Sequence, residues 1–433
     1  MFLLLCLVLG GTSQYVFTPK LIIYALSIVV IFYTLRKAEL TYVIEKSKLL
    51  FFIFAVFVSY SLIQLVPLPP SIWTALPGRE VIVESYQLIG KPLQWQPISM
   101  APEKTIFSIA NFLPSIAIYF LVVYWSDRQE KDIAIWGFLA FATFTVLLGF
   151  VQIALPDGPL HFYQITNETL AVGFFSNSNH QATLLLMAIP FVFALLCNSL
   201  RENGSSRGTF GSATVITLFI LLTLIVGLIK NSSIAGYVLM ILIVALSSIL
   251  FLKSIRSRSN LKTSLLLLVA VPFFGVIFYD ASHSVIGLQA ISEKISISGE
   301  MSRGHAYLQT LEIIPNYLMI GAGLGSFPDI YKLYEATDGV SSVFLPHAHN
   351  DYLEILLDMG LLGGAIVVGF IFWWASTFLK LLRNGKTSST VAKAASLAVM
   401  IVILHSFVDY PLRTIAISTL FSFSISLIVS RHA

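Results

Sequence analysis

Residues 212–229 read SATVITLFILLTLIVGLI, eighteen positions without one charged side chain. Four residues later a second run of the same kind covers 234–252. Eighteen helical residues measure about 27 Å, close to a hydrocarbon core of about 30 Å. Lipid offers no water to the backbone, so a run of this kind must pair its own N–H and C=O groups as a helix. Working outward, further runs fall at 2–16, 20–35, 49–68, 105–125, 133–154, 181–200, 263–280, 352–379, 394–408 and 411–430. The composition agrees: 57% of the 433 residues are hydrophobic and 11% charged, against about 25% charged in soluble domains. The reading is an all-α polytopic transmembrane helix bundle of about 12 spans, a single membrane-embedded domain over 1–433.

Charge decides sidedness. The connections 36–48, 126–132, 201–211, 253–262, 380–393 and the C-terminus hold 17 of the 26 Lys and Arg but 6 of the 22 Asp and Glu. By the positive-inside rule these are cytoplasmic, and so are both termini. The long loops 69–104, 155–180 and 281–351 are then external, where no ATP is present, so chemistry there needs a substrate that arrives activated. A net charge of +4 gives no footprint for nucleic acid. Cys6 and Cys197 both fall in apolar runs, which excludes a disulfide framework and a Cys-based metal site. The N-terminal run has no basic flank and reads as a short first helix, not a cleaved signal.

The loop 281–351 holds the densest polar cluster: Ser302-Arg303-Gly304-His305, Pro315-Asn316, the glycines 321, 323 and 325, and Pro346-His347-Ala348-His349-Asn350-Asp351. Residues 301–314 have helical spacing, with Tyr307, Leu308, Leu311 and Ile314 on one apolar face and Arg303 in the first turn. The glycines follow no strand, which argues against a dinucleotide site and for a tight turn near the bilayer. His347 and His349 read in two ways. They are interfacial loop residues just before Asn350 caps the next helix, or His349 is a neutral imidazole placed as a general base. Asp351, Glu354 and Asp358 fall at i, i+3 and i+7 on one face after the cap, where carboxylates also complement the helix dipole. Two histidines are too few for a metal site.

His349-Asn350, nine residues, then Gly360-Leu361-Leu362-Gly363 resembles the signature of the O-antigen ligase and O-antigen polymerase superfamily. The stretch from Arg303 through Pro315 to Gly321-Ala322-Gly323-Leu324-Gly325-Ser326-Phe327 looks like that family's preceding block. Gly173-Phe174-Phe175-Ser176-Asn177-Ser178-Asn179-His180 resembles a further motif, so residues 155–363 look like the family's core. The resemblance implies a GT-C-type membrane glycosyltransferase in the bacterial inner membrane. It would take a glycan from undecaprenyl pyrophosphate on the periplasmic face and need no cofactor or metal. It also implies that His349 is the base for the acceptor hydroxyl and that Arg303 holds the pyrophosphate. His347, Asn350 and Glu354 join them as substrate-binding candidates.

One position departs from the family. Ligases carry a second arginine in a Ser-Arg-small-Gly motif, and here Lys230-Asn231-Ser232-Ser233-Ile234-Ala235-Gly236 has Ile234 at that place. Lys230 either supplies the charge or snorkels at a helix end. The loss leans the reading toward a surface or exopolysaccharide polymerase, whose acceptor is itself a lipid-linked glycan. The alternatives are a ligase onto lipid A core, a protein O-oligosaccharyltransferase and, from another class, a transporter. Transporters usually show internal repeats and polar groups at mid-membrane; here no repeat is visible and the polar groups gather in external loops. Asn177, Asn179 and His180 either line an acceptor groove or cap a helix. Asp409 and Arg413 read as a pair that stabilises an external turn, or as a glycan contact. His405 lies within a span and can face the bundle interior.

Overall fold

The helices expected from apolar run length form the body of the protein, seen here in a computed structural model. It describes residues 1–14, 18–37, 44–45, 47–124, 128–156, 158–167, 170–202, 211–252, 303–335, 345–384 and 389–430. Among these, seven helices are long and apolar enough to cross a membrane: Thr18–Lys37, Pro102–Tyr124, Gln129–Ala154, Ser178–Arg201, Ser212–Asn231, Ile234–Phe251 and Asp351–Arg383. Shorter apolar helices cover Lys48–Ile63, Thr390–His405 and Ile415–Val429. The chain is a helical, multi-pass membrane protein.

Of the twelve expected runs, seven coincide with these long helices and three with the shorter ones; two have no counterpart among them. The run at 263–280 lies outside the described residues. The run at 2–16 forms a helix only over Phe2–Leu9, about 12 Å long at 1.5 Å per residue, too short to cross. Its end at Gly10 is fixed by packing, since Ala416 N–H donates to the Gly10 carbonyl at 3.0 Å and Ser176 N–H to that of Gly11 at 3.1 Å.

The Ser178–Glu202 helix is the axis. Leu184 through Ile189 are all fully buried, in one core with Leu224, Ile243, Val399 and Leu420 from four other helices. At one end of this axis, Ser199 meets Thr214 at 2.9 Å and Thr390 donates to Asn198 at 3.3 Å. At the other end the segments 171–181, 231–233, 345–351 and 406–414 converge. Asn231 Nδ2 donates to the carbonyls of Ala171 and Ser178 and to Gln181 Oε1. Connections that the charge pattern assigns to one side thus share one end of the bundle.

The Asp351–Arg383 helix is broken at Gly360, where φ is +60° and ψ −152°. The backbone groups released by the break are taken up locally. Ala322 N–H donates to the Leu357 carbonyl at 2.9 Å, Gly323 N–H to Asp358 at 2.9 Å, and Leu361 N–H to Leu318 at 2.7 Å. Buried Gln64 completes the set, donating to the Asp358 carbonyl at 2.9 Å and accepting from Leu324 N–H at 3.0 Å. A Cβ at position 360 would stand 2.5 Å from the Leu318 carbonyl oxygen, so only glycine fits. The expected tight turn at 321–325 is present, with positive φ at Gly321, Gly323 and Gly325, and its task is to satisfy this break. The 23 residues after the break measure about 34 Å, enough to span unaided. The segment before it, 351–359, projects its carboxylates beside the 345–350 loop.

The amphipathic helix expected at 301–314 runs from Arg303 to Tyr317, but its buried face is not the expected one. Ala306, Thr310, Ile313, Ile314 and Tyr317 are buried, while Leu308 and Leu311 are 64% and 50% exposed. Apolar spacing alone thus does not name the inner face of this helix.

Candidate functional site

The loop before Asp351 is fixed by a helix cap. Asn350 Oδ1 accepts from Tyr352 N–H at 2.9 Å and Leu353 N–H at 3.1 Å. Its Nδ2 donates to the Phe407 carbonyl at 2.9 Å, which ties the loop to the connection between the last two helices. The amide of Asn350 is therefore committed to structure at both ends.

Three carboxylates follow on one face, as the i, i+3, i+7 spacing predicts, and Arg413 stands among them. Its Nε lies 3.4 Å from Asp351 Oδ1, Nη2 3.4 Å from Glu354 Oε1 and Nη1 3.4 Å from Asp358 Oδ2. One guanidinium cannot satisfy three buried carboxyl groups, so hydrogen bonds supply the remainder. Ser406 Oγ donates to Asp351 at 2.8 Å, Gly325 N–H to Asp358 at 2.8 Å, and Ala348 N–H to Glu354 at 3.2 Å. His347 closes the network, with Nδ1 2.9 Å from Glu354 Oε1. That contact places the ring proton on Nδ1 and leaves Nε2, buried and without a partner among the described residues, as the lone-pair nitrogen. Burial holds the His347 imidazole below the usual histidine range, although the Glu354 carboxylate pulls the other way.

His349 is built differently. Its φ of +52° is left-handed, a conformation that costs a non-glycine residue about 1–3 kcal/mol and persists only where its surroundings enforce it. Tyr307 supplies one restraint, its hydroxyl donating to the His349 carbonyl at 2.5 Å. The ring is 16% exposed, with Nδ1 3.4 Å from Asp409 Oδ1. That approach is within ionic reach but is not a formed hydrogen bond. Tyr410 lies at the centre of the surrounding histidines, its ring centroid 4.3 Å from His347, 4.9 Å from His349 and 4.9 Å from His180. Among the described residues, neither ring nitrogen of buried His180 has a hydrogen-bond partner. His405 faces the bundle interior, as expected, and its Nδ1 meets Thr183 Oγ1 at 2.8 Å.

Beside this polar cluster lies a cavity of about 410 Å³. Its walls are apolar, with Phe54, Phe57, Phe112, Phe370 and Phe421 among them, and Asp351, Ser406 and Arg413 form its polar end. Such a space suits an acyl or isoprenoid chain whose head reaches the carboxylate–arginine network.

The structure gathers His347, His349, Asn350, Glu354 and His180 within one cluster. Arg303 opens the helix that carries Tyr307, one turn before it; its side chain lies outside the described residues. Glu354 is fully buried and engaged as described above. Asn177 Oδ1 accepts from Asn179 N–H at 2.9 Å, and Asn179 Oδ1 from Ser233 at 2.7 Å. Both therefore shape the start of the 178–202 helix. Lys230 is exposed at its helix end, and the left-handed Ser232 (φ +59°) separates it from Ile234. The two are therefore not one turn apart on a continuous helix.

Sequence reasoning missed the roles of Arg413, Asp409 and Tyr307. It read Asp409 and Arg413 as a pair that stabilises a turn or as a glycan contact; the structure sets Arg413 against the 351–358 carboxylates and Asp409 beside His349. The available signal was that Asp409 and His349 fall in connections on the same side of the membrane.

Residues 218–368 match the family model described as O-antigen ligase. This range includes Arg303, His349, Gly360 and Gly363, and it ends before Asp409 and Arg413. No curated protein matches the chain. The protein is thus a helical membrane protein whose residues 218–368 match the O-antigen ligase family model.

Proposed function

We propose that this protein transfers a glycan from an undecaprenyl-pyrophosphate-linked donor to an acceptor hydroxyl, with His349 as general base. The acceptor is a second lipid-linked glycan, which makes the enzyme a surface or exopolysaccharide polymerase. The observation that carries this reading is the partly exposed His349 ring, held on a strained backbone with Asp409 at 3.4 Å. Nδ1 faces the carboxylate, so Nε2 is the nitrogen turned to the acceptor. It takes the hydroxyl proton as the acceptor oxygen bonds to the anomeric carbon. The bond from that carbon to the pyrophosphate breaks, and the pyrophosphate leaves with the electron pair. Asp409 stabilises the imidazolium that results.

Arg303 grips the leaving pyrophosphate, for which a planar guanidinium is suited. Its support is the family resemblance and its place one turn before Tyr307. The cavity above takes an isoprenoid tail. Ile234, standing where ligases carry arginine, supports a polymerase over a ligase, and Lys230 is the remaining cation on that connection. The charge asymmetry of the connections supports a periplasmic site in the inner membrane with both termini cytoplasmic.

Purified protein supplied with lipid-linked oligosaccharide tests the chemistry. His349→Ala and Arg303→Ala are each expected to abolish chain growth while expression and insertion stay normal. Wild-type glycan lengths from either variant would end the assignment. A clean deletion read on a glycan gel separates the two acceptors. Single repeats still attached indicate polymerase, and accumulated long lipid-linked chains indicate ligase.

A further inference from the structure

Arg79 is a buried cation that the proposed chemistry does not use. It is 3% exposed and sits where the loop after the 48–63 helix docks on the end of the Arg303–Tyr317 helix. Its Nη2 donates to the Ile98 carbonyl, and its Nε finds no acceptor among the described residues. Among the described residues no carboxylate pairs with it. Burial pulls its pKa below the ordinary arginine value, and Tyr317 is the neighbour that opposes this. A buried guanidinium without an anion is costly, so its retention calls for a ligand.

The surroundings form a built recess. Tyr317 donates to the Gly78 carbonyl at 3.3 Å, which anchors the Pro77-Gly78-Arg79 turn on the helix. Tyr317 and Tyr334 hydroxyls lie 3.3 Å apart, and Asn316 Nδ2 donates to Tyr334 at 3.2 Å. Arg79, Asn316 and Tyr317 line a cavity of about 30 Å³, closed by Pro77 and Gly321. One water needs about 10–15 Å³ of such space. The recess therefore has room for about two to three water-sized groups, which fits the two oxygens of a carboxylate. Tyr317 follows Tyr307 by ten residues on one helix, so the recess stands about 15 Å from the His349 contact.

We propose that Arg79, with Asn316 and Tyr317, is a subsite for the carboxylate of an acidic sugar in the glycan handled at His349. That the carboxylate is carried by a glycan rests on the proposed transfer; the carboxylate site itself does not.

Saturation-transfer NMR on the full chain in nanodiscs tests it, with glucuronate and glucose observed directly and inorganic phosphate, which carries no observable proton, titrated as a competitor of glucuronate. Glucuronate is expected to bind, and glucose and phosphate to bind at least ten-fold more weakly. Arg79→Gln should weaken glucuronate at least ten-fold, Arg79→Lys and Asn316→Ala by a few-fold, with thermal unfolding used to confirm that each variant is folded. His349→Ala should bind glucuronate as wild type does, which separates this site from the transfer. Equal binding of glucose or phosphate, or an undiminished signal in folded Asn316→Ala and Arg79→Gln, overturns the proposal. So does glucuronate binding that disappears in nanodiscs of anionic lipid, which would identify a lipid headgroup as the occupant.

Discussion

His347 and His349 stand two residues apart in one loop, yet the fold gives them opposite surroundings. His347 is 3% exposed at its side chain, hydrogen-bonded to a carboxylate that is itself held by Arg413 and a backbone N–H. His349 is 16% exposed, sits on a left-handed backbone, and faces an acid at 3.4 Å without a formed hydrogen bond. The first arrangement is what a framework residue needs, with its polar demand at Nδ1 met and its motion small. The second suits a residue that must change protonation state and meet a substrate. A loop can thus hold one histidine rigid to keep the other poised.

Variants at the two positions should therefore part company. His349→Ala is expected to lower transfer by about 10²–10⁴, the usual worth of a general base, with unfolding unchanged or shifted to higher temperature. His349→Gly should be as inactive and more stable, because glycine adopts positive φ without the strain. Activity near wild type in either would return His349 to the status of a loop residue. Asp409→Asn should leave the fold intact and cost less, about ten-fold to a hundred-fold, since the base remains and only its imidazolium loses support.

On the framework side, Arg413→Met leaves three buried carboxylates without their cation. Removing one partner of a buried ion pair costs about 3–5 kcal/mol, enough to deplete the folded protein. Adding Glu354→Gln should recover part of that loss, and the double-mutant cycle measures the coupling. Independent effects of the two changes would mean that Arg413 and Glu354 are neighbours without a shared role.

What could be read in advance follows from which forces act locally. The spans at 212–229 and 234–252 were legible because lipid forces any long apolar run into a helix, whatever surrounds it. The Asn350 cap and the 351–358 carboxylate face were legible because they depend on spacing within nine residues. The break at Gly360 was not, since apolar residues continue on both sides and its compensating hydrogen-bond partners come from Gln64 and from 318–323. Leu308 and Leu311 misled because apolar spacing alone does not name the inner face of their helix. Asp409 lies 60 positions from His349, and only the packing of the last helices brings them together. The first run already read as a short helix, and it is shorter still because Gly10 docks on Ala416.

Gly360→Ala tests how far the framework reaches. The added Cβ would meet the Leu318 carbonyl at 2.5 Å and force φ away from +60°, at a cost of about 1–3 kcal/mol. Because Leu357 and Asp358 bond the 322–323 backbone across the break, transfer should fall along with stability. A loss of stability with full activity would show that the 351–359 segment is held without help from the break.

The smallest expected effect is on pH, and its sign follows from burial. The folded His347 takes up a proton less readily than the unfolded chain, whose value is near 6.5. Its contribution to stability is therefore complete above that value, and it shrinks as pH falls from there through the lower folded value. Thermal unfolding of the wild type should shift downward below about pH 6, and the shift should be smaller in His347→Gln, which has no proton to gain. The His349→Ala variant should keep the wild-type shift. A shift that disappears in His349→Ala and persists in His347→Gln would reverse the two roles, making the exposed histidine the one on which the fold depends.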